Sequence, residues 1–455
     1  MTFADNYLIG QNPRYISTPP DNSLSGVVVI PCCSEPDVLE NIKHLCQCDP
    51  PNGIIEIIIV VNFPEGKPKE THDYNKEIFD LLVEFSKQLK NNKIKVLPIW
   101  LGAVRKKFAG AGFPRKVGMD EAIRRFNDIN KPENFIISLD ADTTVMQNYL
   151  SELEKLFCSN NSVRQAVIPF THPKKDIDKS LCHAIMLYEL YLRYYRLTME
   201  YIGWQWAYHT VGSAFAVRAS VYVEQQGMNR KNAGEDFYFL NKLFPLGGTV
   251  VANNTMVFPA ARFSDRVPFG TGPALKQIIE NNFSYKTYCL QSILDLRYFL
   301  NNIQTLFDAD NSYIESYIHS APKALRDYWI ETNFIDKINE CNSKCAHLKT
   351  FNKRLLRKFD AFQIVKYLNF AHENHYNKSE VCKEFELLVN ELKTNSPKYA
   401  MIIKKYHKHT ADTLKETNVS EFSDILSIST CRNLLYLAEL LDNIPNPTHK
   451  KIGCQ

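Results

Sequence analysis

The sequence predicts a layered α/β domain followed by an α-helical one, and three observations carry that expectation. Short apolar runs, "GVVVIP" (26–31), "IIEIIIVV" (54–61), "KIKVLPIW" (93–100), "NFIISLD" (134–140) and "VRQAVIPF" (163–170), alternate with helix-type patterns through the first half of the chain. The runs are continuous rather than alternating polar and apolar, as strands covered on both faces should be. Beyond Pro273 such runs stop, and helices joined by polar loops account for the rest of the 455 residues. The expected boundaries are an N-terminal extension at 1–24, an α/β domain at 25–272 and a helical domain at 273–455.

Each strand hands over to a helix. The first leads into "EPDVLENIKHLCQC" (35–48). The second runs through a loop rich in Pro, Gly and Lys into "YNKEIFDLLVEFSKQLK" (74–90), and the third through a glycine-containing loop into "KVGMDEAIRRF" (116–126). The fourth precedes a helix near 147–158. A longer helix, "SLCHAIMLYELYLRYYRLTMEYIG" (180–203), carries a Tyr and Leu stripe that reads as packing. The tail "PNPTHKKIGCQ" reads as frayed.

Composition narrows the function. With 45% hydrophobic and 23% charged residues the chain can bury a core and is not of the disordered class. A net charge of +4 suits an anionic ligand but gives no dense basic patch, so nucleic acid is not an expected partner. The N-terminus has neither the basic start nor the apolar core of a signal peptide. No run approaches the ~18 to 20 apolar residues of a membrane span. The twelve cysteines show no disulfide rhythm, which suits a reducing, cytoplasmic setting. Cys46 with Cys48, and Cys341 with Cys345 and His347, read as thiols on helices because no second half of a zinc site follows.

The chemistry centres on "FIISLDADTTV" (135–145). In an extended chain Asp140 and Asp142 point the same way, at the carboxyl edge where open α/β sheets bind ligands. The pair suits either a strand-to-turn junction or a seat for a hard ion, Mn2+ or Mg2+, completed by a diphosphate. "AGEDFYFLNKL" (233–243) sets Glu235 and Asp236 at a helix start. They either offset the helix dipole or act as a general base. Glu35 after the first strand and Asn62 ending the second could hydrogen-bond a nucleobase, and turn chemistry explains them equally well. In "FPAARFSDRVPFGTG" (258–272) Arg262, Ser264 and Arg266 alternate before Gly-Thr-Gly. That pattern suits a loop closing over a pyrophosphate or a solvated edge strand.

The order strand–P-x-x-x-E, strand–V-V-N, basic glycine-containing loop, strand–D-x-D and then G-E-D before a helix resembles family 2-like glycosyltransferases of the GT-A fold, over residues 25–272. "AGFPRKVGMDEAI" is similar to the family's A-R-N-x-G segment. "VGSAFAVRASVY" (211–222) is similar to its acceptor-side strand. The resemblance implies a GT-A (Rossmann-like), mixed, mainly parallel sheet flanked by helices. It places Pro31, Glu35 and Asn62 around the nucleoside, and Arg115 and Lys116 at the diphosphate with Gly118 at the helix entry. Asp142 holds the metal and Asp140 the ribose, nucleotide or metal. Arg262 and Arg266 lie over the diphosphate. Asp236 is the base and Glu235 contacts the acceptor.

The sequence departs from the pattern at Cys33, where an aromatic residue is usual, and at Asn62, where aspartate is usual. His209 reads as acceptor-lining or structural. Other classes fit less well. "GAGFPRKVG" lacks a full dinucleotide fingerprint and follows the third strand. A nucleotidyltransferase would carry a glycine- and arginine-rich loop where "PCCSEPD" stands. A binding module would not need four carboxylates. The expected activity is therefore transfer of a sugar from a nucleotide-diphosphate donor, a UDP- or GDP-sugar, to a hydroxyl of a glycan or lipid-linked acceptor. Inversion and glycan or glycolipid biosynthesis come with the resemblance. Membrane spans and the Q-x-x-R-W motif of processive synthases are missing, so a single-addition enzyme is expected. The helical domain, with "KKYHKH" (404–409), is a candidate for docking acceptor, partner or an anionic membrane surface.

Overall fold

The structure is a computed structural model. It describes residues 2–175, 177–230, 234–264, 270–414 and 423–442, with the backbone alone at 407–414 and 423–429. Arg266, the tail from 445 and the side chains of residues 407–409 lie outside the described residues. The chain divides into two compact units. The first takes residues up to Asp178 and Tyr208–Lys276. The second takes Lys179–Ala207 and the described residues from Gln277 to Asp442.

In the first unit the strands are β1 (Leu24–Cys32), β2 (Ile54–Pro64), β3 (Ile94–Val104), β4 (Phe135–Ser138), β5 (Thr143–Val145), β6 (Gln165–Val167), β7 (Phe215–Arg218), β8 (Thr249–Val251) and β9 (Val257–Pro259). Seven of them form one sheet in the order β3-β2-β1-β4-β7-β6-β8. Strands β3, β2, β1 and β4 are parallel neighbours, β7 is antiparallel to β4 and β6, and β6 pairs parallel with β8. The layered α/β architecture is the one the apolar runs predict, and the sheet is mixed and mainly parallel, as the resemblance implies. β5 and β9 form a separate antiparallel pair.

The helices are α1 (Asp5–Leu8), α2 (Val38–Cys46), α3 (Lys69–Gln88), α4 (Gly112–Asp128), α5 (Tyr149–Ser159), α6 (Lys179–Tyr201), α7 (Ala219–Glu224), α8 (Glu235–Leu243) and α9, which begins at Thr271. α4 begins four residues earlier than its apolar pattern suggests. Gly118 therefore lies inside the helix rather than at its entry. It is there because α4 crosses β1 closely, so that a Cβ at this position would stand 2.4 Å from Val29 Cγ1.

Charge is buried on α4 to an unusual degree. Glu56, in the middle of the apolar run of β2 and 0% exposed, receives both Nε and Nη2 of Arg125, whose Nη1 donates to Thr18 O at 2.8 Å. The other polar side of α4 is covered by residues 4–18, which lie along it. Asn127 Oδ1 accepts from Ala4 N (2.9 Å), and the Glu121 carboxylate from Tyr15 N (3.2 Å) and Ile16 N (3.1 Å). Asp120, 0% exposed, accepts from Tyr7 Oη (2.7 Å) and Tyr222 Oη (2.9 Å), and pairs with Lys116 Nζ at 3.0 Å. Such groups are tolerated inside only while partnered.

In the second unit α6 packs against the helices Val381–Asn395 and Ser423–Asp442. Its Tyr and Leu stripe contributes packing, with Tyr194, Leu190 and Leu197 buried. Its arginines are paired: Arg196 bonds Glu200 (2.8 Å) and Asp442. The absence of β structure past Pro273 needs one correction, a two-residue antiparallel ladder between Lys286–Thr287 and Ser379–Glu380. Elements that short leave no periodicity to read.

Asp120→Ala removes the acceptor shared by Tyr7, Tyr222 and Lys116. It should cost about 3–5 kcal/mol, read as a fall of several degrees in the calorimetric midpoint. Arg14→Ala, which breaks the exposed pair with Asp128, should change it by no more than about 1 kcal/mol. Equal effects would contradict the account of α4.

Candidate active site

The D-A-D segment sits where the parallel strands end. Leu139 N donates to Val29 O (3.1 Å), which extends the β1–β4 pairing by one residue. Thr143 N then donates to Asp140 O (3.1 Å) and closes a turn, whose Ala141 O accepts from Asn41 Nδ2 at 2.8 Å. Ala141 is buried, whereas the Asp140 and Asp142 side chains are 38% and 26% exposed. Both aspartates are thus presented as the sequence suggests, but by a turn rather than by extended alternation. Each has its own cation. Asp140 accepts from Arg115 Nη2. Asp142 Oδ2 accepts from Arg262 Nε (2.9 Å) and Nη2 (2.7 Å).

Arg115 gathers a second acidic segment. Gly234 caps α8 in the left-handed conformation (φ 68), so Glu235 and Asp236 form the helix's first turn. Arg115 Nη1 donates to Glu235 Oε1. Asp236 Oδ1 accepts from Phe237 N at 2.7 Å. Gly212 closes the remaining side: a Cβ there would lie 3.0 Å from Asp236 Oδ2 and 3.2 Å from both terminal nitrogens of Arg115. The side chains of Arg115 and Glu235 are 2% and 5% exposed, so water screens this cluster poorly. Burial pushes the Glu235 carboxyl up to about 7. Arg115 opposes that rise and Asp236 adds to it. Asp236 is raised as well, by burial first and against the pull of Arg115. Burial works against charge on Arg115, but Asp140, Glu235 and Asp236 together hold its guanidinium more firmly protonated than usual. Two carboxyls with raised affinity for protons at a helix start are equipped to take up a proton.

On the other flank Arg262 Nη2 also donates to Glu35 Oε2, so one guanidinium bridges Glu35 and Asp142. The turn carrying Glu35 is fixed by α3. Asn75 Oδ1 accepts from Ser34 N (2.7 Å), and its amide donates to Ser34 Oγ (2.9 Å) and Thr71 O (2.7 Å). Ser34 itself adopts φ 53. Asn62, at a register shift between β2 and β3, is 1% exposed, with neither amide atom hydrogen-bonded. A buried amide in that state costs free energy that a bound partner would recover. Pro31 lies next to the end of β1, paired in register with Val60.

Two expected residues stand elsewhere. Lys116, one position from Arg115 and so about 100° around α4, points to Asp120 and Tyr7 (3.1 Å) and is 5% exposed. Its ammonium is disfavoured by burial in spite of Asp120. The structure therefore does not bring it to Arg115's carboxylates. His209 packs edge-on against Phe170 at 5.1 Å. Asn75 was not singled out from sequence, and Gly212 entered only as the glycine of "VGSAFAVRASVY". Asn75 had a signal, being an amide three and seven residues before Ile78 and Leu82 on the buried face of α3. Cys46 and Cys48 are pushed up to about 12 by burial, which keeps them protonated. Among the described residues no cluster of three or more His, Cys, Asp or Glu side chains is arranged to hold a metal, and no helix is long and apolar enough to cross a membrane.

No protein-family model matches the chain, and no curated relative does. Solved structures with partial similarity include S. aureus TarS residues 1–349 in complex with UDP-GlcNAc. It is 14% identical over 73% of this chain and 91% of that one, with a TM-score of 0.38. The same fragment in complex with UDP has 13% identity, covers 73% and 91%, and scores 0.36. The mannosyltransferase PcManGT from Pyrobaculum calidifontis, in complex with GDP-Man and Mn2+, is 12% identical over 96% and 91%, with a TM-score of 0.32. At those scores the likenesses carry no argument about this chain, whose fold rests on its own strand order and pairing.

The raised Glu235 carboxyl has a thermodynamic signature. Its folded-state affinity for a proton exceeds that of the unfolded chain, so its stabilising contribution is complete below about pH 4.5 and is lost as pH rises through about 7. The melting midpoint should fall by a few degrees between pH 5 and 8, and Glu235→Gln should flatten that slope. An unchanged slope in the variant would rule out the protonation asymmetry.

Proposed function

We propose that this chain is a glycosyltransferase that moves a sugar from a nucleotide-diphosphate donor to a hydroxyl of a glycan or lipid-linked acceptor. The observation that carries this reading is the meeting of two acidic segments about 95 residues apart in the sequence, as their numbering gives. The D-A-D turn and the start of α8 converge on Arg115 at the carboxyl edge of a parallel sheet. The resemblance of this motif order to family 2-like enzymes adds to it.

In this reading the nucleoside lies against Pro31, Glu35 and the unpartnered amide of Asn62, and the diphosphate lies toward Arg262 and the D-A-D turn. The donor chemistry of the turn suits a divalent ion. Asp140 and Asp142 offer hard oxygens, both partly exposed, and the Arg262 guanidinium already sits on Asp142 as a stand-in cation. Asp142, with Asp140 beside it, would hold Mn2+ or Mg2+, and the ion would supply charge neutralisation for the departing diphosphate. Arg262, freed from Asp142, is long enough and exposed enough (32%) to meet phosphate oxygens.

Asp236 takes the acceptor's proton as the hydroxyl oxygen attacks the anomeric carbon from the side opposite the leaving diphosphate, which gives inversion. Asp236 is the more accessible of the acidic pair, and Glu235 is committed to Arg115. Glu235 borders the acceptor rather than exchanging its proton.

Calorimetric titration with UDP, GDP, CDP and dTDP, with and without Mn2+, tests the donor side. One nucleotide should bind in a metal-dependent way. Asp142→Ala should lose at least about tenfold in affinity, the equivalent of ~1.4 kcal/mol. Asp236→Asn should bind that nucleotide normally and lose about 10²–10⁴-fold in turnover. If the wild-type protein binds none of the four, the transferase reading fails.

A further inference from the structure

Arg115 stands in a place that contact with a diphosphate does not explain. Its side chain is 2% exposed, and both terminal nitrogens are committed to carboxylates, Asp140 on the turn after β4 and Glu235 on α8. Its Nε is buried without a partner. A diphosphate is bulky and strongly hydrated, and it needs donors at the surface of a cleft. Arg262 offers them and Arg115 does not. Among the described residues the first turn of α8 has few other side-chain ties, one of them from Asn229 Nδ2 to Glu235 O at 3.4 Å. Gly234 gives it no side-chain cap, and Asp236 is bonded to the amide of its own neighbour, Phe237. Gly212 leaves room for the guanidinium and the Asp236 carboxylate to come together, because any side chain there would stand 3.0–3.2 Å from both.

We propose that Arg115 is a positioning residue rather than a diphosphate ligand: it ties the D-A-D turn to the start of α8 and so fixes where the Glu235–Asp236 pair stands relative to the donor. The proposal rests on the transferase reading, in which Asp236 receives the acceptor's proton. Through this tie the donor side and the acceptor side are held in one register. Loss of the tie should disturb the attack geometry while leaving nucleotide contacts in place, and a displacement of about 1 Å at such a site costs on the order of 10²-fold in rate.

The test uses full-length Arg115→Gln, Arg115→Lys and Gly212→Ala. Nucleotide binding is followed by calorimetry, and turnover of the matching nucleotide-sugar by steady-state kinetics. Arg115→Gln should lower kcat about 100-fold, with donor KM and nucleotide Kd within about threefold of wild type. Arg115→Lys should recover about tenfold of that loss, since an ammonium reaches one carboxylate but not both. Gly212→Ala removes no charge and should lower kcat about tenfold at unchanged Kd, through a shift of a few tenths of an ångström. A nucleotide Kd raised about tenfold in Arg115→Gln with kcat near wild type would make it a diphosphate ligand and overturn the proposal.

A thermal double-mutant cycle judges the tie without any activity. Arg115→Gln and Glu235→Gln should each lower the melting midpoint, and the double variant should fall no further than the worse single one. Additive shifts overturn the tie whatever the kinetics. Failure of the wild-type protein to bind any nucleotide removes the transferase reading instead, and the two failures are read by different instruments.

Discussion

A single guanidinium facing three carboxylates is the constraint around which the first unit is arranged. Asp140, Glu235 and Asp236 could not stand together in so little water without Arg115, because like charges at low dielectric repel strongly. Arg115 must therefore be held rigidly, and its rigidity comes from α4. That helix lies so close to β1 that only glycine fits at position 118. The close packing fixes the helix in depth, the helix fixes the guanidinium, and the guanidinium fixes two acidic segments about 95 residues apart in the sequence.

The same helix explains why so many polar groups are inside. Arg125 answers Glu56 beneath it, while Asp120, Glu121 and Asn127 are answered by residues 4–18 above it. An apolar covering would have packed as well, but it would not have specified one register along α4. Hydrogen-bonded charges that are costly to leave unmade do so. The opposite flank uses a similar device at smaller scale, with Asn75 holding the Glu35 turn through three hydrogen bonds.

Much of this was legible in the sequence, for physical reasons that differ by element. Unbroken apolar runs such as "IIEIIIVV" announce doubly covered strands, and the layered α/β architecture followed from them, while the mixed sheet was implied only by the resemblance. The meeting of Asp140 with Glu235 was suggested by the resemblance and not by spacing, since contacts about 95 residues apart leave no local pattern. Lys116 could not be separated from Arg115 by residue type. Only the helix's rotation per residue sends one to the carboxylates and the other to Asp120. The sequence left D-A-D open between an extended edge and a strand-to-turn junction, because a strand and a turn look alike at that length; Thr143 N reaching back to Asp140 O makes it a turn. The two-residue ladder at Lys286–Thr287 carries too few residues to announce itself.

The division of the chain has a consequence for biosynthesis. Residues 179–207 belong to the second unit, yet they are translated before β7, α8 and β8 of the first. The segment 4–18 emerges before the helix it lies along, and it has nothing to lie on until α4 has followed it, more than 100 residues later as the numbering gives. On the ribosome neither unit can close in the order it is made, and α6 leaves the exit tunnel long before the helices Val381–Asn395 and Ser423–Asp442 that cover it. A nascent chain arrested near residue 276 would hold α6 before its covering helices exist, together with all seven strands of the first unit's sheet.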